Sequence, residues 1–464
     1  MPNTNVKQLW ILIAIAALSF LPALGFYYVG EEAITPITAL EMSQRGVWLQ
    51  QYMYGDAMSR SLLFNWLTIT FANLLGWEHV LLTTRILTLT ATLSTSLVLA
   101  WLTRHLFKNG TLAAFAALSY LTMLDLLLYH GWLSYVDPLF AFFTFSSIAA
   151  LWVGVIEQRP AILTMAVIAL TAAFLSKAYT AYIFYATAVL VLLFYTKPRA
   201  YLFRPVVLLI HISALIAPMI WLSLIPGGAS QGKRMLFDIL LKLAPSTLLD
   251  YLYRLLIYPM EVLFSLAPLP ILGIYYWARK KYNPPANGTH VQLKIVSWTL
   301  LLCILPYWFA PYGGMRYLMP LYPMFALVAA YVIMQSGTHA MEIARKWIIA
   351  AIVFKFVVVL FIFPYYQDHY RGKNYNDAAI DILSITHGYP VYITDVSASG
   401  LNVAAYINKH RHPATAIQRP PHQWRDGFVL VRTAETDKIF KKYKLGGDEL
   451  LLMCRGAACR QPSN

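Results

Sequence analysis

Two adjacent carboxylates, Glu31 and Glu32, follow the first long apolar stretch of this 464-residue chain. A carboxylate beside a water-filled cavity can accept a proton from a hydroxyl group, or it can bind a metal ion. Helix capping is the alternative, because carboxylates stabilise helix N-termini and Thr35 followed by Pro36 is a typical helix start. The pair is therefore a candidate for acid–base chemistry, with a structural role left open.

Three other ionisable residues lie at the ends of apolar stretches, where a charge is costly and often marks a functional site. Asp137 is either a helix start, because a proline follows it, or a second acid that faces the same cavity. Lys177 is either a lysine that reaches toward the membrane surface or a cation of the site. Arg316 follows two glycines that permit a tight turn, and arginine can hold a phosphate with two hydrogen bonds. For Arg316 we favour phosphate binding.

Arg60, Lys233 and Arg234 are weaker candidates, since each could be a solvated loop charge. Taken together, the charged residues indicate an anionic site with an acid nearby, open to the outer leaflet of a membrane. A lipid phosphate fits this pattern, because its chain can lie among apolar segments while its head group meets the cations.

The elements that must position these residues are membrane spans. The chain is 59% hydrophobic and only 12% charged, with a mean hydropathy of +0.57, a composition typical of a polytopic membrane protein. About 20 apolar residues are needed to cross the bilayer. We expect about eleven spans, near residues 9–29, 80–103, 111–129, 138–156, 160–176, 178–195, 205–225, 256–277, 293–311, 317–335 and 346–366.

The distribution of basic residues predicts the orientation. The net charge of +15 would suggest nucleic acid in a soluble protein, but here Lys and Arg cluster in alternate short loops, so we expect no nucleic-acid partner. If the N-terminus is cytoplasmic, every cytoplasmic loop carries basic residues. An odd number of spans then places the C-terminus outside the cytoplasm. The basic residues of the cytoplasmic loops are Lys7, Arg104, Lys108, Arg159, Lys197, Arg199, Arg204, Arg279, Lys280, Lys281, Arg345 and Lys346.

Long segments outside the spans complete the organisation. A transmembrane domain covers residues 1–367, and its first outer loop, residues 30–79, is predicted to form amphipathic helices on the membrane with breaks at Gly46 and Gly55. Residues 226–258 form a second interfacial segment. The fold class is thus an all-α polytopic membrane protein with a small C-terminal α/β extracytoplasmic domain at residues 368–464.

The patterns within this C-terminal domain predict three strands and two helices. Strands are expected in the sequences PVYITD, GFVLVRT and LLLMC, with helices in SGLNVAAYINKH and AETDKIFKKYK. Cys454 and Cys459 are a disulfide candidate if this end lies in an oxidising compartment. Cys303 lies in an apolar run and is expected to pack in the core.

Several motifs resemble a known superfamily. Glu31 and Glu32 after the first span, followed by ITALEMSQRGVW, resemble the first outer loop of the type-C integral-membrane glycosyltransferases, which depend on polyprenyl-phosphate-linked sugars. This superfamily includes protein mannosyltransferases and the aminoarabinose transferase that modifies lipid A. SYVDPLF at Asp137, FLSKAYT at Lys177 and MRYLMPLYP at Arg316 resemble further motifs in the same order. In contrast, DAMSRSLL stands where aminoarabinose-type members carry Phe-Glu-Lys-Pro, so a lipid A substrate is less well supported and altered or lost activity stays open.

The resemblance implies a function and roles for these residues. It implies transfer of a sugar from a polyprenyl-phosphate donor to a glycan, lipid or protein acceptor at the outer face of the cytoplasmic (inner) membrane, with the C-terminal domain periplasmic. Catalysis would use Glu31, Glu32 and Asp137, and the donor phosphate would contact Arg60, Lys177, Arg316 and Tyr317. A divalent metal, Mg²⁺ or Mn²⁺, stays open as a cofactor, with Glu31 and Asp137 as its candidate ligands.

Two other classes of protein remain as alternatives. A transporter or flippase of lipid-linked sugars would have the same composition, but transporters usually show internal repeats and broken mid-membrane helices, and we find no repeat. A polymerase or ligase of lipid-linked glycans would use a similar donor. The clustering of charges on one face favours the transferase.

Overall fold

A computed structural model describes residues 6–58, 62–177, 179–228, 233, 237, 247–279, 289–310, 313–433 and 438–460. Among these residues the predominant element is the α-helix. The helices are α1 (Val6–Leu18), α2 (Ile34–Arg45), α3 (Leu63–Leu75), α4 (Val80–Phe107), α5 (Gly110–Leu121), α6 (Asp137–Ile156), α7 (Pro160–Ser176), α8 (Thr180–Tyr195), α9 (Pro205–Leu224), α10 (Leu248–Leu266), α11 (Leu269–Ala278), α12 (Thr289–Trp308), α13 (Tyr322–Gln335), α14 (Thr338–Val357), α15 (Phe363–His369), α16 (Lys373–Ile385) and α17 (Ala398–Arg411).

The strands form two small sheets. A hairpin pairs β1 (Gln51–Met53) with β2 (Asp56–Met58). The second sheet contains β3 (Val391–Ile393), β4 (Gly427–Val431), β5 (Lys438–Leu445) and β6 (Asp448–Arg455), in the order β3-β4-β6-β5. The β3–β4 pair is parallel, and the other two pairs are antiparallel.

Seven helices among the described residues are long and apolar enough to cross a membrane, and an eighth span is obtained if a bent pair counts as one. The bent pair is α10 and α11, whose axes meet at 114°. Every predicted span overlaps one or two apolar helices when the shorter apolar helices are included. Three of them, α5, α7 and α8, have only 12, 17 and 16 residues, shorter than the roughly 20 needed to cross the bilayer core. The structure confirms the polytopic helical fold, and the count of eleven spans stays a prediction.

The chain packs as two compact units. Unit 1 comprises Met1–Leu21, Thr88–Trp132 and Val136–Phe356, and unit 2 comprises Pro22–Leu87, Leu133–Tyr135 and Val357–Asn464. Residues of the first loop thus pack in the same unit as the C-terminal sheet. The predicted domain boundary after residue 367 stays a prediction.

Burial differs strongly among the helices of unit 1. Residues Leu112–Leu121 of α5 are all buried, as expected for a helix that is apolar all round. Most residues of the apolar stretch Met315–Gln335 are buried, whereas in α9 only Val207, Ala214 and Pro218 are buried. Apolar side chains that stay exposed on such a helix are typical of a surface that contacts lipid.

Helix α2 in unit 2 lies in the segment predicted as the first outer loop. Gly46 ends this helix with a φ of 65°, in the left-handed conformation that favours glycine, so the predicted break is confirmed. However, all of Pro36–Met42 is buried. Protein therefore covers all faces of these two turns, and the predicted interfacial position of the helix stays a prediction. Its residue Ile37 packs in a core shared with the C-terminal sheet.

The C-terminal sheet confirms the three predicted strands and the helix at α17, but corrects the second helix. The sequence AETDKIFKKYK was predicted as a helix, whereas its described part belongs to β5. Near the end of β5, Tyr443 and Leu445 are buried while the lysine between them is exposed. This period of two is that of a strand, and lysine favours such an edge position. The helical prediction gave too much weight to the propensity of lysine.

The second predicted interfacial segment is described only in part. Within residues 229–246, the structure describes only positions 233 and 237. The candidate Arg234 therefore lies outside the described residues. The described part contains α10, which begins after Thr247, whose side chain caps the helix by accepting a hydrogen bond from the backbone N–H of Asp250.

Candidate functional site

The two adjacent carboxylates have opposite environments in unit 2. Glu31 is exposed, and among the described residues its carboxylate has no hydrogen bond or ion pair. Its backbone N–H donates to the hydroxyl of Tyr135 at 3.2 Å. The backbone of Glu31 is therefore held in place, while neither carboxylate oxygen has a hydrogen-bond partner among the described residues.

Glu32 is fully buried and accepts four hydrogen bonds. Its Oε1 accepts from Arg85 Nε at 2.9 Å and from the backbone N–H of Ser134 at 2.7 Å. Its Oε2 accepts from Arg85 Nη2 at 2.6 Å and from the backbone N–H of Val29 at 2.8 Å. A carboxylate held in this way has no free oxygen for proton transfer, so of the two we retain Glu31 as the candidate base.

A second group of predicted residues meets in unit 1. Asp137 is the first residue of α6 and Lys177 follows the last residue of α7. Their side chains form a close ion pair. The Asp137 side chain is 4% exposed and that of Lys177 is 17% exposed. Lys177 is therefore paired, and it still reaches the protein surface.

The ring of Tyr317 lies beside two cations in the same unit. Lys177 Nζ is 4.5 Å from the ring centroid, and the guanidinium carbon of Arg316 is 5.5 Å from it. Tyr307 stacks on this ring at 6.4 Å, with an angle of 15° between the planes. Cations near aromatic faces are held by the ring quadrupole. The structure thus brings together four predicted residues, Asp137, Lys177, Arg316 and Tyr317.

The other predicted donor-binding residue, Arg60, lies outside the described residues. Glu31 and Glu32 belong to unit 2, and the cluster around Tyr317 belongs to unit 1.

A disulfide bond joins Cys454 to Cys459, the pair that the sequence offered as a candidate. Among the described residues Cys303 is a free, buried cysteine.

Sequence reasoning missed two arginines. Arg85 is the one charged residue between Val80 and Thr103, and such an isolated charge in an apolar helix could have marked it. Arg254 lies in α10, where it forms an ion pair with Glu261 at 2.7 Å and donates a hydrogen bond to the backbone carbonyl of Gly313. Arg254 therefore holds the turn that leads to Arg316.

A metal ion has little support from the described residues. They contain no group of three or more His, Cys, Asp or Glu side chains that could hold one. Asp137, a candidate ligand, is paired with Lys177. The described residues thus offer no set of ligands that fits a protein-held divalent cation, and we derive no chemical step through one.

A polar groove of about 290 Å³ lies in unit 2, next to the end of α2. Its buried member, Glu41, accepts hydrogen bonds from the backbone N–H groups of Tyr54 and Gly55 at 2.6 and 3.0 Å. Burial raises the pKa of Glu41. Glu41 thus anchors the turn of the β1–β2 hairpin. The residues lining the groove are Glu41, Gln44, Arg45, Pro413, Thr415 and Gln418.

The chain was compared with known proteins. The model of the Alg9-like mannosyltransferase family matches residues 246–415, a region that includes Arg254, Arg316 and Tyr317. No curated protein matches the chain in sequence.

Solved structures match over nearly the whole length. ArnT from Cupriavidus metallidurans bound to undecaprenyl phosphate is 12% identical, with a TM-score of 0.70 over 99% of this chain and 100% of that chain. The apo state of the same protein is 13% identical, with a TM-score of 0.66 over 98% and 99% of the two chains. The oligosaccharyltransferase AglB from Archaeoglobus fulgidus, in complex with an inhibitory peptide and a dolichol-phosphate, is 12% identical, with a TM-score of 0.55 over 87% and 63%. The chain therefore has the fold of ArnT and AglB, in agreement with the fold that the resemblance of its motifs implied.

Proposed function

We propose that this chain is a membrane glycosyltransferase that moves a sugar from a polyprenyl-phosphate-linked donor to an acceptor. The shared fold and the match to a mannosyltransferase family support this class of enzyme. Two of the solved structures with this fold carry undecaprenyl phosphate and dolichol-phosphate. The observation that carries the proposal is the placement of Lys177 and Arg316 beside the ring of Tyr317, because these cations suit a lipid-linked phosphate.

The donor phosphate binds Lys177 and Arg316 in this proposal. Arginine offers a planar fork of donors and lysine a compact charge. Asp137 holds Lys177 in place and lowers the net charge of the cluster. As the bond from the anomeric carbon to the phosphate oxygen breaks, negative charge accumulates on the departing polyprenyl phosphate, and the two cations stabilise that charge.

Glu31 acts as the general base. The oxygen or nitrogen of the acceptor attacks the anomeric carbon, its proton passes to the Glu31 carboxylate, and polyprenyl phosphate leaves with the bonding electron pair. The reaction is a single displacement, so it inverts the anomeric configuration and forms no covalent sugar–enzyme intermediate. The Glu31 carboxylate is exposed and has no ion-pair partner in the part of the chain that the structure describes, which supports this role.

The reaction takes place at the outer face of the cytoplasmic membrane. Lys and Arg in alternate short loops support a cytoplasmic N-terminus, and the disulfide at the C-terminal end supports an oxidising compartment for unit 2. The acceptor is a glycan, a lipid or a protein that reaches that face.

Mass spectrometry of cell-envelope glycans tests the proposal. Surface glycans, lipid A and secreted proteins are compared between the parent cells, a deletion strain and a strain that carries Glu31→Gln. We expect the same glycan to lose one sugar in the deletion and Glu31→Gln strains. Intact glycans in both strains would contradict the enzymatic function. Loss of the sugar together with accumulation of the donor on the cytoplasmic leaflet would favour a flippase instead.

A further inference from the structure

We propose that Arg85 and Glu32 form a buried strut that positions Glu31, which makes Arg85 a positioning residue for sugar transfer. The kinetic part of this inference rests on the proposed function, whereas its structural part does not. In this arrangement Glu32, the second of the two adjacent acids, is a positioning residue rather than a catalytic one.

Arg85 directs its hydrogen bonds at one short segment of unit 2. Besides its two bonds to Glu32, it donates from Nη1 to the backbone carbonyl of Phe26 at 2.6 Å and from Nη2 to that of Tyr27 at 2.9 Å. Weaker bonds from Nη1 reach the carbonyl of Leu24 at 3.2 Å and that of Ala23 at 3.4 Å. The segment that leads to Glu31 is thus wrapped around one guanidinium group, and Arg85 itself is fully buried.

Glu32 extends the strut to both sides of Glu31. Through Val29 it holds the turn that precedes Glu31, and through Ser134 it holds the short segment Leu133–Tyr135. Tyr135, in that segment, accepts a hydrogen bond from the backbone N–H of Glu31. The backbone of Glu31 is therefore fixed from two directions.

The charges explain why this arrangement needs both partners. A buried ion is costly unless it is paired and hydrogen-bonded, and removal of one partner leaves the other charge uncompensated. Arg85 neutralises Glu32, whereas the Glu31 carboxylate has no such partner among the residues that the structure describes. Lysine cannot replace Arg85, because its compact ammonium cannot bond Glu32 and the row of carbonyls at the same time.

Hydrogen–deuterium exchange tests the structural part. The full-length protein in detergent micelles is compared with Arg85→Lys and with Arg104→Lys, an exposed arginine of the same helix. We expect Arg85→Lys to speed amide exchange in residues 22–34 by at least about tenfold, since local opening becomes easier, while Arg104→Lys leaves it unchanged. Equal exchange in all three proteins would overturn the strut.

Kinetics test the functional part, with the release of polyprenyl phosphate from a lipid-linked sugar as readout. We expect Arg85→Lys to lower kcat per folded molecule by about 10- to 100-fold, because a displacement of about 1 Å costs that much. The KM for the donor should stay within threefold. Glu32→Gln keeps the shape of the side chain and removes its charge, so it serves where Arg85→Lys does not fold, and it should lower kcat in the same way.

The two experiments separate this inference from the proposed function. Transfer by the wild-type protein with unaltered kcat in both variants would overturn the positioning role. No transfer by the wild-type protein, together with faster exchange in Arg85→Lys, would overturn the proposed function and support the strut alone.

Discussion

The ion pair between Asp137 and Lys177 gives a prediction that separates a structural role from a functional one. Each residue had two interpretations from sequence, a helix start or a site acid for Asp137, and a membrane-surface lysine or a site cation for Lys177. We consider three variants, Lys177→Met, Asp137→Asn and the double variant, with Lys346→Met as control because Lys346 is an exposed lysine.

The burial of the pair sets the expected stability changes. Breaking a buried pair costs roughly 3–5 kcal/mol, and the partial exposure of Lys177 places this pair at the lower end. Each single variant should therefore lose about 3 kcal/mol, because it leaves one charge unpaired. The double variant should lose only about 1–2 kcal/mol, less than either single variant, since no unpaired charge remains. Lys346→Met should change stability by less than about 0.5 kcal/mol.

The three variants should rank differently in activity than in stability. Lys177→Met removes a charge-assisted contact to the donor phosphate, worth about 1.5–3 kcal/mol, so kcat/KM should fall by roughly 10- to 150-fold. The double variant lacks the same cation and should stay equally impaired although its stability is regained. Asp137→Asn, which keeps the cation, should retain more activity than either.

Unfolding in mixed micelles titrated with denaturing detergent gives the stability, and release of polyprenyl phosphate gives the activity. Recovery of activity together with stability in the double variant would show that Lys177 acts only through its pair with Asp137. Strictly additive stability losses would show that the two side chains do not interact.

Two further predictions concern unit 2. Because burial raises the pKa of Glu41, the folded state binds its proton more tightly than the unfolded chain, so stability should fall as pH rises above the ordinary value of 4.5. Glu41→Gln should remove this slope in thermal midpoints measured from about pH 4 to 8, and parallel profiles for the two proteins would contradict it. If unit 2 is extracytoplasmic, Cys454 and Cys459 should resist alkylation in denatured cell extracts until a reductant is added, whereas Cys303 should react at once. Alkylation of the pair before reduction would argue for a cytoplasmic C-terminus.

The sequence predicted the helices of unit 1 well, because the membrane imposes a physical rule on them. Backbone groups in lipid must be satisfied within the segment, so long apolar runs such as Pro205–Leu224 form helices whatever surrounds them. Element β5 was missed because its lysines have helical propensity, whereas pairing with β6 decides its conformation. Such pairing depends on residues that are distant in sequence.

The residues of the candidate site likewise differ in whether the sequence alone could predict them. Asp137, Lys177 and Arg316 could be found because each is a charge at the end of an apolar run. The neighbouring sequence does not distinguish the role of Glu31 from that of Glu32. The two acids differ because Arg85, which is distant in sequence, forms an ion pair with Glu32. Arg254 was missed because the sequence does not show its hydrogen bond to the backbone carbonyl of Gly313.

The most direct test of the account is a transfer assay with purified protein and a synthetic polyprenyl-phosphate-linked sugar in the presence of envelope lipids, glycans and proteins. We expect the wild-type protein to release polyprenyl phosphate and to yield a glycosylated acceptor of inverted anomeric configuration. Glu31→Gln should bind the donor normally and release polyprenyl phosphate at least about 100-fold more slowly, as expected for loss of a general base. Equal rates for Glu31→Gln and the wild-type protein would contradict the central claim.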